Sequence, residues 1–189
     1  SQTVDLCSPL EIEDYQIQPM ADASPPKWHL AHVTWFFETF VLAKYSSNHK
    51  AFNPVYNYLF NSYYNGVGSP YPRASRGHLS RPTVAEIYEY RKIIDERVLD
   101  LLETNSDPEI AFRVNLGLHH ERQDQELMLT DVKYNFGNNP LLPSYSPKIE
   151  NNIGQVLPQK WIEFKGGIAE VGAFYSNDFI FDNETPRHK

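Results

Sequence analysis

The sequence predicts a mainly α protein: a four-helix bundle with one long crossover loop, followed by a short β-containing carboxy-terminal tail. Three observations carry that expectation. Residues 25–45 and 107–137 space their apolar side chains as one helical face, and residues 83–103 do the same behind the capping-box pattern Thr83-Val84-Ala85-Glu86. Residues 46–81 are a long, aromatic, Pro- and Gly-punctuated stretch, of the kind that crosses a bundle rather than turning tightly. Beyond residue 160 the apolar period shortens towards that of a hairpin.

Bulk properties narrow the function. A chain of 189 residues suits one ordinary domain, here residues 1–137, with a linker at 138–160 and the beginning of a second, incomplete domain at 161–189. The formal net charge is −7 and no Lys/Arg cluster is present, which argues against a nucleic-acid surface that must neutralise phosphates. Cys7 stands alone, so there is no disulfide framework and a reducing cytoplasm is the expected compartment. No apolar run approaches membrane-spanning length, and residues 36–43 are too short. The chain starts with Ser rather than Met and stops at Lys189, so both ends read as cut or processed.

Taken in order, residues 1–18 carry a short amphipathic segment with Leu6, Leu10, Ile12 and Tyr15 as candidate buried positions. Ser24-Pro25 has the form of an N-cap followed by proline at the first helical position. The helix it opens puts Trp28, His32, Trp35 and Phe36 on one side, with His29 turned away from His32. In the loop, tyrosines and phenylalanines from Phe52 to Tyr71 favour packing over disorder, and Arg73 and Arg76 follow Pro72 at a spacing that lets them act together. The next helix shows the stripe Val84, Ile87, Tyr88, Ile94, Val98, Leu101 and Leu102. Asp107-Pro108 caps the last, which carries Leu116, Leu127 and Met128 and ends near Phe136-Gly137. Residues 138–159 wrap without regular structure, and residues 161–173 pivot on Gly166-Gly167 as a hairpin.

Chemistry concentrates on three side chains. His120 and Asp124 lie four residues apart and project side by side from one helical face. With His32 from the earlier helix they form a two-imidazole, one-carboxylate set, which suits Fe(II) and leaves positions open, or Zn(II) with a water. A hydrogen-bonded polar cluster satisfies the same residues without metal. His120-Glu121-Arg122-Gln123-Asp124 superficially imitates a zinc-peptidase HExxH, but that chemistry needs a histidine where Asp124 stands. Arg73 and Arg76 can clamp a carboxylate in bidentate fashion, or merely be solvated on an acidic protein. Trp28, Trp35 and Phe36 are most simply core, and Cys7 has no activating neighbour.

These residues carry a resemblance. Ser24-Pro25-Pro26-Lys27-Trp28-His29-Leu30-Ala31-His32, followed by Trp35-Phe36-Phe37-Glu38, resembles the opening helix of the DinB-like domain of ergothioneine-biosynthesis sulfoxide synthases. His120-Glu121, Gln125-Glu126-Leu127 and Leu129-Thr130-Asp131 are similar to that domain's second metal-binding helix. Phe181-Asp182-Asn183-Glu184-Thr185-Pro186-Arg187-His188 resembles the start of the family's formylglycine-generating-enzyme-like domain. The likeness runs along essentially the whole chain in order.

The resemblance implies a non-haem Fe(II) enzyme that uses O2 to join the sulfur of cysteine or γ-glutamylcysteine to the imidazole of hercynine as a sulfoxide. Three histidines hold the family's iron; two correspond to His32 and His120, and the third falls on Asp124, a departure from the pattern. The loop arginines that bind the thiol's carboxylates correspond to Arg73 and Arg76. The family's catalytic tyrosine and hercynine site lie in the second domain, carried in cis or on another chain, so this fragment is expected to be inactive alone. Two other outcomes remain: a metal-free bundle serving as a scaffold or interaction module, and a DinB-like thiol transferase using Zn(II) or Ni(II).

Overall fold

A computed structural model describes residues 1–146, 157–174 and 179–189. It divides into two compact units, residues 1–147 and 148–189.

The first unit is a helical bundle. Helix α1 (Gln2–Cys7) is followed by a 3-10 turn at Ile12–Gln16. Helix α2 (Pro26–Phe37) runs through a π turn at Glu38–Leu42 into the single turn α3 (Ala43–Tyr45), so helical backbone is continuous across residues 26–45. After α4 (Tyr56–Leu59) and a 3-10 turn at Arg73–His78 come the long helices α5 (Val84–Thr104) and α6 (Pro108–Asn138). Helix α2 packs against both α5 and α6, and α1 lies against α2 and α6. The mainly helical class is therefore as expected.

Local chemistry explains where the helices start. Thr83 Oγ1 accepts from the Glu86 N–H while the Glu86 carboxylate accepts from the Thr83 N–H, which completes the capping box of α5. Asp107 caps α6 by accepting from the Glu109 N–H, with Pro108 at the first position. Helix α2 differs from expectation. Its cap is Pro25, with Pro26 at the first position, because Ser24 is buried and its groups are engaged elsewhere: its N–H donates to Asp131 Oδ2 and its Oγ accepts from Arg76. Gly137 does not end α6 but lies inside it; the helix runs one residue further.

The core joins Trp35, Leu30, Leu42, Ile87, Tyr90, Ile94, Ile110 and Met128, all essentially inaccessible. Burying side chains of this size stabilises the bundle by about 1.5–3 kcal/mol each. Leu102, Leu127 and Ile12 were expected inside and are exposed; each sits at the edge of its apolar stripe, where helix packing leaves it facing out. Tyr90 and Arg91 occupy that interior on α5 instead. Tyr90 donates to Glu38 Oε2 at 2.5 Å, and Glu38 Oε1 accepts from the Phe52 N–H, tying the π turn to both α5 and the crossover loop. Arg91 pairs with Glu121 at 2.6 Å, and Glu121 also accepts from Thr3, which pins α1. Gly117 lets α6 approach α2 closely: a Cβ there would lie 2.6 Å from Phe37 Cε1.

In the second unit the expected hairpin over residues 161–173 is absent among the described residues. An isolated antiparallel bridge joins Val171 to His188, and Arg187 packs over the Phe174 ring while pairing with Glu170. Trp161, Phe164 and Ile168 are 91%, 83% and 85% exposed, so the alternating apolar side chains are not buried, and a lone hairpin is marginal in water. Residues 147–156 of the expected linker and 175–178 of the tail lie outside the described residues. Among the described residues no helix is long and apolar enough to cross a membrane.

Candidate metal centre

Helices α2 and α6 bring His32, His120 and Asp124 to one point. His32 Nε2 lies 3.2 Å from His120 Nε2, and His120 Nε2 lies 3.3 Å from Asp124 Oδ2. One potential ligand atom from each side chain falls within 4.8 Å of the others. Donors bound about 2.1 Å from a divalent ion at tetrahedral or octahedral angles are about 3.0–3.4 Å apart, so the spacing fits such an ion.

The tautomer of His32 fits as well. His32 Nδ1 donates to the Phe60 carbonyl at 2.6 Å, which leaves the lone pair on Nε2, the nitrogen facing the other two groups. Burial holds His32 down to about 4 and also lowers His120, so both imidazoles are neutral near pH 7; the one proton of His120 would have to sit on Nδ1 for Nε2 to bind a cation. His120 Nδ1 is buried without a partner. Burial opposes the charged form of Asp124, but the hydrogen bond from His29 and the electrostatic effects of His32, His29 and His120 together outweigh it and keep the carboxylate ionised.

Aromatic side chains set the rings in place. His32 is stacked between Trp28 and Trp35, with centroids at 4.7 and 5.5 Å, and Phe36 stacks on His120 at 4.5 Å. Trp28 Nε1 donates to the Leu59 carbonyl and Trp35 Nε1 to Asn57 Oδ1, so the crossover loop fixes both indoles. The stripe expected to be plain core is thus also the frame of the centre.

Above the three side chains opens a cavity of about 390 Å³, lined among others by Tyr64, Ser62, Gln123, Arg73 and Arg76. Arg76 is 4% exposed; its guanidinium stacks 3.3 Å from the Trp28 ring centroid and donates to Ser24 Oγ and Ser62 Oγ. Burial and the neighbouring Arg73 lower it to about 10, which still leaves it charged. Arg73 is half-buried and donates to the Tyr63 hydroxyl. The Nε–H groups of both arginines are buried without a partner. The structure therefore puts the two loop arginines and the three candidate ligands around one space.

Two residues of this arrangement were not anticipated. His29, turned away from His32 along α2, reaches α6: Nδ1 lies 2.9 Å from Asp124 Oδ1 and Nε2 lies 3.0 Å from Asp131 Oδ2. Burial lowers His29, but the two carboxylates outweigh it, and the net direction is up. Asp131 stands seven residues after Asp124, two turns along the same face, and that spacing was the available signal.

The profile of the DinB superfamily matches residues 1–127. The chain belongs to that superfamily. The match takes in α1, α2, the crossover loop, α5 and the part of α6 that bears His120 and Asp124, so the candidate centre lies wholly within the DinB domain. No curated protein matches the sequence significantly.

Proposed function

We propose that this DinB domain is the metal-binding part of an iron(II)- and O2-dependent sulfoxide synthase that joins cysteine or γ-glutamylcysteine to hercynine in ergothioneine biosynthesis. The carrying observation is the meeting of His32 Nε2, His120 Nε2 and Asp124 Oδ2 beneath a cavity also lined by Arg73 and Arg76. Two neutral imidazoles and one carboxylate leave positions on the iron for further ligands, and iron bound there would supply the redox chemistry for O2. The chain's residues do the rest. Arg73 and Arg76 bind the thiol substrate's carboxylates, Trp28 and Ser24 hold Arg76 rigidly, and Tyr64 walls the cavity. Residues 181–188 resemble the start of a formylglycine-generating-enzyme-like domain, which in such synthases carries the hercynine site.

Anaerobic calorimetry with Fe(II) tests the reading. One ion should bind, and Asp124→Ala and His120→Ala should each abolish measurable binding. Cysteine should bind the loaded chain and lose affinity in Arg73→Ala. The absence of any Fe(II) binding overturns the proposal and leaves a scaffold; binding indifferent to Asp124→Ala overturns the proposed ligand set. The same donors also accommodate Zn(II) or Ni(II), as in a DinB-like thiol transferase. Preferential retention of either ion, with thiol bound and no sulfoxide formed after the second domain is supplied, would favour that alternative.

A further inference from the structure

We propose that His29 is a positioning residue that keeps Oδ1 of Asp124 out of the ligand set, so that the carboxylate would bind a metal through Oδ2 alone and leave one more coordination position open. The inference rests on the metal reading above. His29 is 3% exposed and is gripped at both ring nitrogens, Nδ1 by Asp124 Oδ1 at 2.9 Å and Nε2 by Asp131 Oδ2 at 3.0 Å. A ring held at both ends cannot rotate away. It distinguishes the two oxygens of Asp124: Oδ1 accepts from His29, while Oδ2 faces His120 Nε2 at 3.3 Å.

The distinction matters because a carboxylate, unlike the imidazole of the related three-histidine pattern, can chelate with both oxygens. Chelation would occupy a site that O2 or a thiolate needs. The clamp is also anchored to the cavity wall. Asp131 Oδ2 accepts from the Ser24 N–H, and Ser24 Oγ accepts from Arg76, so one run of hydrogen bonds joins the anion-binding wall to the metal ligand. Groups that orient metal ligands in this way act through geometry, and their loss changes affinity and coordination by measurable factors.

Co(II) is the probe, read by its visible d–d absorption and by the spectral response to azide, which occupies an open position. In the wild-type chain Co(II) should give one spectrum that shifts with azide. His29→Ala frees Oδ1, so the band should weaken as coordination number rises, and azide affinity should fall about tenfold or more. His29→Asn, whose amide nitrogen takes the place of Nδ1 and can still donate to Oδ1, should restore the wild-type response. A mere loss of packing would not be rescued in that way. Should His29→Ala not fold, His29→Leu with Asp131→Leu removes ring and second carboxylate together and is read identically. Wild-type spectra and azide affinity in the Ala or Leu variants overturn this inference alone. No Co(II) binding by the wild-type chain overturns it together with the metal reading.

Discussion

Acidifying the metal-free chain should destabilise it through His32 by a calculable amount. Burial holds the folded imidazole at about 4, whereas an unfolded histidine titrates near 6.5. Between those values the unfolded chain takes up a proton that the folded chain does not, so stability falls as pH drops below about 6.5 and the loss is complete below about 4. At about pH 5.5 the unfolded imidazole is roughly nine-tenths protonated and the folded one only a few per cent, which costs about 1.4 kcal/mol relative to about pH 7.5. For a chain of this size that is a Tm decrease of about 3–5 °C. His29 works in the other sense, since its net shift is upward and its contribution is lost only as pH rises. The measurement is therefore a difference: thermal melts of wild type and His32→Gln, both in chelator, across the same pH range. The wild type should lose about 1.4 kcal/mol more than the variant. Parallel pH dependences would show that His32 is not held neutral by burial and would refute the argument that it stands ready as a neutral ligand.

Other substitutions probe the frame. Gly117→Ala puts a Cβ 2.6 Å from Phe37 and 3.2 Å from Phe36; overpacking of about 1–3 kcal/mol outweighs a helix-propensity gain of about 1 kcal/mol, so Tm should fall. Because Phe36 stacks on His120, Co(II) affinity should fall with it. Tyr90→Phe leaves the buried Glu38 carboxylate without its hydroxyl donor and should cost about 1.5–3 kcal/mol in urea unfolding. Thr83→Ala removes one arm of the capping box and should cost about 1 kcal/mol, with no effect on Co(II) binding.

Much of the bundle was legible because its cues are local. The Thr83–Glu86 box and the Asp107-Pro108 cap satisfy orphan N–H groups within one turn, so the starts of α5 and α6 were readable to the residue. The i, i+4 spacing of His120 and Asp124 puts them on one face whatever the rest of the chain does. Ser24 misled because its neighbour Pro25 imitates a first-turn proline, while its hydroxyl and N–H were claimed by Arg76 and Asp131, about 50 and 107 residues away in sequence. The tail misled for the opposite reason. Alternation predicts a strand only where its apolar face becomes buried, and Trp161, Phe164 and Ile168 are exposed.

Residue order alone settled where α5 and α6 start, most of the apolar face of each long helix, and that His120 and Asp124 travel together, since those properties depend on neighbours within a turn or two. The packing of α2 against α6 settled the rest: that His32 meets the pair, that His29 grips Asp124 and Asp131, and that Arg73 and Arg76 share the same cavity. Those contacts join residues up to about a hundred positions apart, and the angle and depth at which two helices pack depend on every side chain between them, Gly117 among them.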